Sequence, residues 1–183
     1  CLHWANDPVG QLIQCRRALR PDGLFIGVLL GGETLAELRS VLAEAEIKVR
    51  SGLSPRVLPM AEIRDVGALL QRAGFALPVA DSAVLKTRYD NVFKLMADLR
   101  AMGETNALSD RDRRFTPRQV FLQAADIYQS AFGDEHGSIP ASFEQIFLTG
   151  WAPDDSQPKA LRPGSATMRL ADAIGATETN LND

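Results

Sequence analysis

Two polar side chains follow a glycine in the segment Met102-Gly103-Glu104-Thr105-Asn106. A helix that ends at Gly103 needs only that glycine in the left-handed conformation, so a helix end does not account for Glu104 and Asn106. A carboxylate can pair bidentately with a guanidinium group, and an amide oxygen can accept a further hydrogen bond. A carboxylic-acid ligand would instead be repelled by Glu104 and would require an arginine there. We therefore expect Met102, Gly103, Glu104 and Asn106 to bind substrate.

A second group of candidate residues opens the chain as Leu2-His3-Trp4, followed by Asn6 and Asp7. The ordinary pKa of histidine suits proton transfer, but the sequence places no partner beside His3, so a general-base role has little support. Trp4 either packs a helix against a sheet or lines a site. Asp7, before Pro8, is expected to cap a helix.

Composition excludes several classes of function. The formal net charge is −3, which gives no electrostatic footprint for nucleic acid. The longest apolar run, Leu24 to Leu30, is far shorter than the ~20 residues of a membrane-spanning helix. Cys1 and Cys15 are the only cysteines, without metal-ligand spacing or a disulfide framework, which favours a reducing compartment. We therefore expect no metal site, no nucleic-acid partner and no membrane span.

Periodicity predicts an α/β fold. The run Leu24 to Leu30 lies between glycines and is typical of a strand buried on both faces. Gly31-Gly32 ends it, and Thr34 with Glu37 predicts a capping box that opens a helix. Short β-prone stretches follow at 75–80, where Pro78 predicts an edge or irregular strand, and at 84–89. A last strand is expected over 141–151.

Two amphipathic helices are predicted between the last two strands, within residues 90–133. We expect them to form a helical cap over the substrate side of the sheet. Residues 1–152 would then form one domain portion. The tail, 153–183, is rich in Pro, Ser, Asp and Asn and is expected to be flexible.

The segment Leu19-Arg20-Pro21-Asp22-Gly23 predicts a turn before an apolar strand. It is the most recognisable of several motifs that together resemble the class I, Rossmann-like methyltransferases that use S-adenosylmethionine (SAM). The combination resembles the mitochondrial complex I assembly factors of methyltransferase fold and their bacterial relatives, which are close to the malonyl-carrier-protein O-methyltransferases. The other matching motifs are Leu2-His3-Trp4-Ala5-Asn6-Asp7, Gly31-Gly32-Glu33-Thr34-Leu35, Leu38-Arg39, Ser54-Pro55, Leu69-Leu70-Gln71-Arg72-Ala73-Gly74-Phe75, Met102-Gly103-Glu104-Thr105-Asn106, Gly150-Trp151 and Gly164-Ser165-Ala166-Thr167.

The resemblance implies that the chain is the C-terminal portion of such a sheet, with the end of strand 4 and strands 5, 6 and 7. Leu2, His3 and Trp4 at the end of strand 4 would then face SAM, since ligands bind at the carboxyl ends of strands. The glycine-rich loop after strand 1 and the acidic residue after strand 2, which hold SAM in this family, are not in this sequence. Ala152 also stands where the assembly factors have a lysine. The implied substrate-binding residues are Asn6, Gly31, Gly32, Thr34, Met102, Gly103, Glu104, Asn106 and Trp151.

Three functions remain open on the resemblance. The relatives imply a SAM-dependent methyltransferase-type protein that methylates or hydroxylates an arginine of a respiratory complex I subunit, or an enzyme that methylates a malonyl group on a small molecule or carrier protein. A non-catalytic protein-binding module is the third. A full-length protein would be an enzyme, whereas residues 1–183 alone would be inactive. The implied compartment is the bacterial cytoplasm, or the mitochondrial matrix in a eukaryote.

Overall fold

A computed structural model describes residues 2–109, 111–159, 162, 164–165 and 167–177. The chain divides into two compact units, Cys1–Pro153 and Asp154–Asp183. The first unit begins with a 3₁₀ turn and carries five helices and three strands among its described residues, and the second carries one short helix. The elements are the turn Leu2–Trp4, α1 Pro8–Ala18, β1 Leu24–Leu30, α2 Ala36–Arg50, α3 Ile63–Arg72, β2 Ala76–Tyr89, α4 Val92–Ala101, α5 Arg118–Phe132, β3 Ile139–Trp151 and α6 Leu170–Ile174.

The three strands form one sheet in the order β1-β3-β2. The central strand β3 is antiparallel to both neighbours, pairing Leu24 with Trp151 and Leu30 with Gln145 on one side and Tyr89 with Ile139 on the other. Because both outer strands oppose β3, β1 and β2 run parallel to each other. The mixed α/β class predicted from the sequence is confirmed, with a sheet that places β3 last in the sequence but central in space.

The prediction that β1 is buried on both faces is wrong in this structure. Leu29 is buried, but Leu24, Ile26 and Val28 on the opposite face are exposed, Ile26 by 66%. Side chains alternate between the two faces of a strand, and the helices near this strand, α1 and α3, pack on only one of them. Nor does any described strand pair with the outer edge of β1.

The expected end of strand 4 is also absent, because Leu2–Trp4 form a 3₁₀ turn. The two β-prone stretches after α3 form one strand, β2, which lies at an edge of the sheet as Pro78 predicted. The predicted irregularity is present as a register shift between Ala76 and Val79, where Leu77 has a φ of 48°.

Thr34 and Glu37 do not form the predicted capping box. Helix α2 begins at Ala36, one residue after Leu35, whose φ is 55°. The Thr34 hydroxyl donates to the Glu144 carbonyl and accepts from the Glu144 N–H. The Glu37 carboxylate accepts from the Ser142 hydroxyl at 2.5 Å. Both side chains therefore attach the start of α2 to β3, and this tertiary attachment replaces the local cap.

Two apolar cores hold the first unit together. One lies between α2, α4, α5 and the first residues of β3, and Tyr128 is its largest fully buried side chain. The other joins α1 and α3 to the buried face of the sheet through residues such as Leu12, Leu70, Ile146 and Leu148. Helices α4 and α5 lie between β2 and β3 in the sequence, as the predicted helical insertion requires. Helix α5 packs against α2, and α4 packs against α5 and β2.

Candidate functional site

A cavity of about 280 Å³ lies where the 3₁₀ turn, α2, α4, α5 and the loop 51–62 meet. Its walls are mainly apolar, and polar side chains from the end of α4 and from the loop 51–62 complete it. The lining residues are Trp4, Leu35, Leu38, Leu42, Arg56, Val57, Leu58, Met60, Met96, Leu99, Arg100, Glu104, Thr105, Asn106 and Phe121. An apolar cleft with a few convergent polar groups is the usual form of a small-ligand site.

Glu104 is held in this cavity by the way in which α4 ends. The Gly103 N–H donates to the Arg100 carbonyl at 3.1 Å, and the Glu104 N–H donates to the Leu99 carbonyl at 2.9 Å. Gly103 has a φ of +83°, so the helix closes in a Schellman motif. The left-handed glycine predicted from the sequence is confirmed. It fixes the backbone of Glu104 against the last turn of α4.

One carboxylate oxygen of Glu104 contacts His3. His3 Nε2 lies 3.2 Å from Glu104 Oε1, and the two side chains are 9% and 22% exposed. Among the described residues, Glu104 Oε2 has no hydrogen-bond partner. His3 Nδ1 is buried and has none either. No local pattern indicated this contact, because His3 and Glu104 are separated by 101 positions.

Asn106 lines the same cavity, but its amide already holds two loops together. Its Nδ2 donates to the Pro55 carbonyl at 2.9 Å, and its Oδ1 accepts from the Leu108 N–H at 3.1 Å. Asn106 therefore fixes the segment after Glu104 to the loop 51–62, which forms the facing wall. Its predicted contact with substrate stays a prediction.

A buried carboxylate behind the cavity wall orders the loop 51–62. Glu46 of α2 is 1% exposed and accepts from Arg56 Nε and from the Ser54 N–H, each at 2.7 Å. Arg50 extends this cluster by contacting both Glu46 and Asp112. Hydrogen bonds from Arg114 and Arg50 hold the pKa of Asp112 well below its usual value. Because Arg56 is paired with Glu46, its charge is balanced without a ligand.

Arg100 is the other cationic residue of the cavity, in the last turn of α4. Within the described ranges its guanidinium has no hydrogen-bond or ion-pair partner. Sequence reasoning missed Arg56 and Arg100, as well as the apolar residues Val57, Leu58 and Met60. Val57 and Leu58 lie between Pro55 and Pro59, and Met60 follows Pro59, in a segment that is neither helix nor strand. These apolar residues were the available sequence signal for a loop that covers a cavity.

Gly31, Gly32 and Thr34 form the turn from β1 into α2. A Cβ on Gly31 would lie 2.5 Å from a Glu144 carboxylate oxygen, and one on Gly32 would lie 2.5 Å from a Glu62 carboxylate oxygen. Arg39 Nη2 donates to the carbonyls of Gly32 and Thr34, each at 3.0 Å. The turn leads directly to Leu35 and Leu38 in the cavity wall, but its own three predicted residues do not line the cavity.

The remaining predicted residues lie apart from the cavity. Leu2 packs against the core beneath the sheet, and Asn6 and Met102 are exposed. Trp151 pairs with Leu24 at the start of β1, so it lies at the end of the sheet opposite Gly31. The expected N-cap is confirmed, since Asp7 Oδ1 accepts from the Gly10 N–H at 2.8 Å.

No group of three or more His, Cys, Asp or Glu side chains in the described part of the chain is arranged to hold a metal ion. No helix there is both long enough and apolar enough to cross a membrane.

Comparison with known proteins gives relatives of two kinds. The chain is 42% identical over 177 residues to "Arginine-hydroxylase NDUFAF5, mitochondrial" of Dictyostelium discoideum, covering 96% of this chain and 40% of that protein. It is 35% identical over 153 residues to "Malonyl-[acyl-carrier protein] O-methyltransferase" of Xylella fastidiosa, covering 84% of this chain and 50% of that protein. The chain therefore spans about half the length of the curated relatives it matches. No protein-family model matches it.

Among solved structures, the chain is similar to a Bacillus halodurans protein described as a methyltransferase. The TM-score is 0.48 and the identity 12%, covering 84% of this chain and 67% of that one.

Proposed function

The chain is a homologue of these arginine hydroxylases and malonyl-[acyl-carrier protein] O-methyltransferases, and from that relationship we propose that it forms the substrate-binding part of a methyltransferase-type enzyme. The substrate is an arginine side chain of a protein, bound in the cavity with its guanidinium at Glu104. The resemblance to complex I assembly factors extends the proposal to the protein that carries this arginine, a respiratory complex I subunit in the mitochondrial matrix or the bacterial cytoplasm.

The observation that carries the proposal is a carboxylate with one unpaired oxygen in an apolar cavity. Glu104 Oε1 is held by His3, whereas Oε2 has no partner among the described residues. An arginine side chain has an aliphatic stem and a charged head, so leucine and methionine walls suit its stem and a carboxylate suits its head. The relatives named as arginine hydroxylases support the same substrate class.

The residues of the 3₁₀ turn fit a contact with SAM in part. His3 Nδ1 is a buried hydrogen-bonding atom without a partner, and Trp4 beside it lines the cavity. The turn offers no carboxylate for ribose hydroxyls. SAM, when bound, supplies an activated methyl group, and His3 and Trp4 would contact it from the substrate side. The chain's own residues bind and orient the acceptor and exclude water around it.

A second candidate function, methylation of a malonyl-type acid, is favoured by Arg100. Its guanidinium lines the same cavity without a partner in the described residues, and a carboxylate ligand would pair with it. The relatives named as malonyl-carrier-protein methyltransferases agree with that chemistry. A protein-binding module without catalysis is the third candidate. Such a module would modify neither an arginine nor a malonyl substrate, with or without Glu104 and Arg100.

The test is Glu104→Gln in the full-length protein, assayed for folding, SAM binding and modification of an arginine-containing protein substrate. The substitution preserves the shape of the side chain and removes its charge. We expect modification to fall roughly 10- to 100-fold, the effect of losing a charged hydrogen bond, with folding and SAM binding intact. Glu135→Gln is the matched control, because the Glu135 side chain is 89% exposed and does not line the cavity.

If Glu104→Gln modifies the arginine substrate as well as the wild type does, the arginine proposal is contradicted. The segment after Gly103 would then have a structural role. Product mass distinguishes the reactions, because methylation adds a CH₂ unit and hydroxylation adds an oxygen atom. Modification of a malonyl carrier protein with no modification of arginine would support the second candidate.

A further inference from the structure

The end of α4 presents two opposite charges to one cavity. Arg100 lies in the last turn of the helix, and Glu104 follows immediately after it. The Schellman hydrogen bonds fix the two backbones relative to each other, since the Gly103 N–H bonds to Arg100 and the Glu104 N–H to Leu99. The two side chains do not form an ion pair with each other, although they are four positions apart. Each charge is therefore available to a ligand.

The other charges around the cavity are already balanced. Arg56 is paired with the buried Glu46, which also accepts from Ser54. His3 holds only one oxygen of Glu104. What remains is one carboxylate oxygen and one guanidinium in a cavity of about 280 Å³. A ligand that matches this pair carries a cation and an anion close together.

We propose that Arg100 is a specificity residue that binds a carboxylate carried by the substrate next to its arginine. This inference rests on the proposed function, in which Glu104 binds the guanidinium. The substrate class is then narrower than arginine alone: an arginine with an acidic side chain or a free carboxylate beside it. Arg100 contributes to binding and discrimination and takes no part in the chemical step.

A cation near the end of a helix is also expected for a purely local reason, since it interacts favourably with the helix dipole. Arg17 offers a matched comparison, because it is the penultimate residue of α1 as Arg100 is of α4, and both are exposed. Arg17 does not line the cavity. A dipole role alone predicts that substitution at the two positions changes ligand affinity equally. A binding role predicts a change in ligand affinity at Arg100 only.

The experiment measures binding of three probes to the full-length protein at low ionic strength: Nα-acetylarginine, its amide and Nα-acetylcitrulline. The acid retains the carboxylate beside the guanidinium, the amide removes it, and citrulline replaces the cation. We expect the wild type to bind the acid about threefold to fivefold more tightly than the amide, the effect of an exposed ion pair, and citrulline most weakly. Arg100→Gln should remove the preference for the acid, and Arg17→Gln should leave it intact.

The outcomes separate the two proposals. Equal affinity for the acid and the amide in the wild type, or a preference that survives Arg100→Gln, would overturn the role of Arg100. Glu104→Gln should weaken the binding of both the acid and the amide. If the wild type binds Nα-acetylcitrulline as tightly as Nα-acetylarginine, which differs from it only in the cation, the guanidinium site itself fails, and the proposed function fails with it.

Discussion

The protonation of Tyr128 is coupled to the fold. Its ring is fully buried in the core beneath the cavity, and its hydroxyl donates to the Pro140 carbonyl at 2.8 Å. Burial, and to a lesser degree the charge of Glu37, raise the pKa of Tyr128 above its usual value. The folded state therefore favours the neutral phenol. Its contribution to stability is complete below the ordinary tyrosine pKa of about 10 and is lost as the pH rises above it.

Tyr128→Phe should lower the free energy of unfolding by about 1 kcal/mol at neutral pH, because the Pro140 carbonyl loses a hydrogen bond. The difference from the wild type should shrink above about pH 10, since only the wild type must then keep a phenol neutral. Urea unfolding of both proteins at neutral pH and above about pH 10 measures this difference in the free energy of unfolding. Tyr89→Phe, at the only other tyrosine, is the control and should show no such narrowing. A pH-independent difference at Tyr128 would contradict the argument.

Single residues were predicted from the sequence where their role is local. The left-handed Gly103 and the Asp7 cap follow from rules about neighbouring positions, and both are confirmed. Glu104 was singled out because the helix end did not account for it. Its contact with His3 depends on how distant segments fold together, as does the pairing of Arg56 with Glu46, so no local pattern indicated them.

At the scale of elements, the turn after α4 controls the position of Glu104. Gly103→Ala should destabilise the protein by roughly 1–2 kcal/mol, the cost of a left-handed alanine, since a Cβ there meets no atom within 4 Å. It should also weaken binding of the arginine amide, because Glu104 loses its fixed backbone. Thermal or urea unfolding and probe titration measure the two effects.

Gly52→Ala is the control for this substitution, because a Cβ there makes only an ordinary contact, 3.9 Å from the Arg50 carbonyl oxygen, and Gly52 does not have a positive φ. We expect its stability to change by less than about 1 kcal/mol and its affinity for the probe to stay the same. A similar loss of stability in both variants would mean that the left-handed conformation of Gly103 is not what matters.

The elements themselves were predicted well where periodicity decides them and poorly where packing does. Helices α1, α2, α4 and α5 and the apolar run of β1 follow from the spacing of their residues. The start of α2 did not follow, because Thr34 and Glu37 bond to β3 instead of to each other's backbone. A capping pattern cannot show that a strand 110 positions away offers better partners.

At the scale of the whole molecule, one face of the sheet is apolar and open. Leu24, Ile26 and Val28 of β1 and Phe147 of β3 share this face, and all are exposed. A strand with such a run of apolar residues is expected between two layers. The relatives are about twice as long as the matched region. We infer that further polypeptide of the full-length protein covers this face.

Ile26→Ala tests whether further polypeptide covers this face of the sheet. Since Ile26 is 66% exposed, the substitution should cost residues 1–183 no more than about 0.5 kcal/mol, whereas it should cost the full-length protein roughly 2–5 kcal/mol if the face is buried there. Leu29→Ala is the control, because Leu29 is buried in the structure and should be costly in both. Equal small effects of Ile26→Ala in both proteins would show that the face remains open.

Binding of SAM tests the central claim, that residues 1–183 carry the acceptor cavity and cannot hold the cofactor alone. The sequence lacks the glycine-rich loop and the acidic residue that hold SAM in the proteins it resembles. We propose that the 3₁₀ turn contacts SAM through His3 and Trp4 alone. Calorimetry of SAM with residues 1–183 and with the full-length protein is the direct measurement. We predict saturable binding by the full-length protein and weak or no binding by residues 1–183. Tight binding by residues 1–183 would contradict the account.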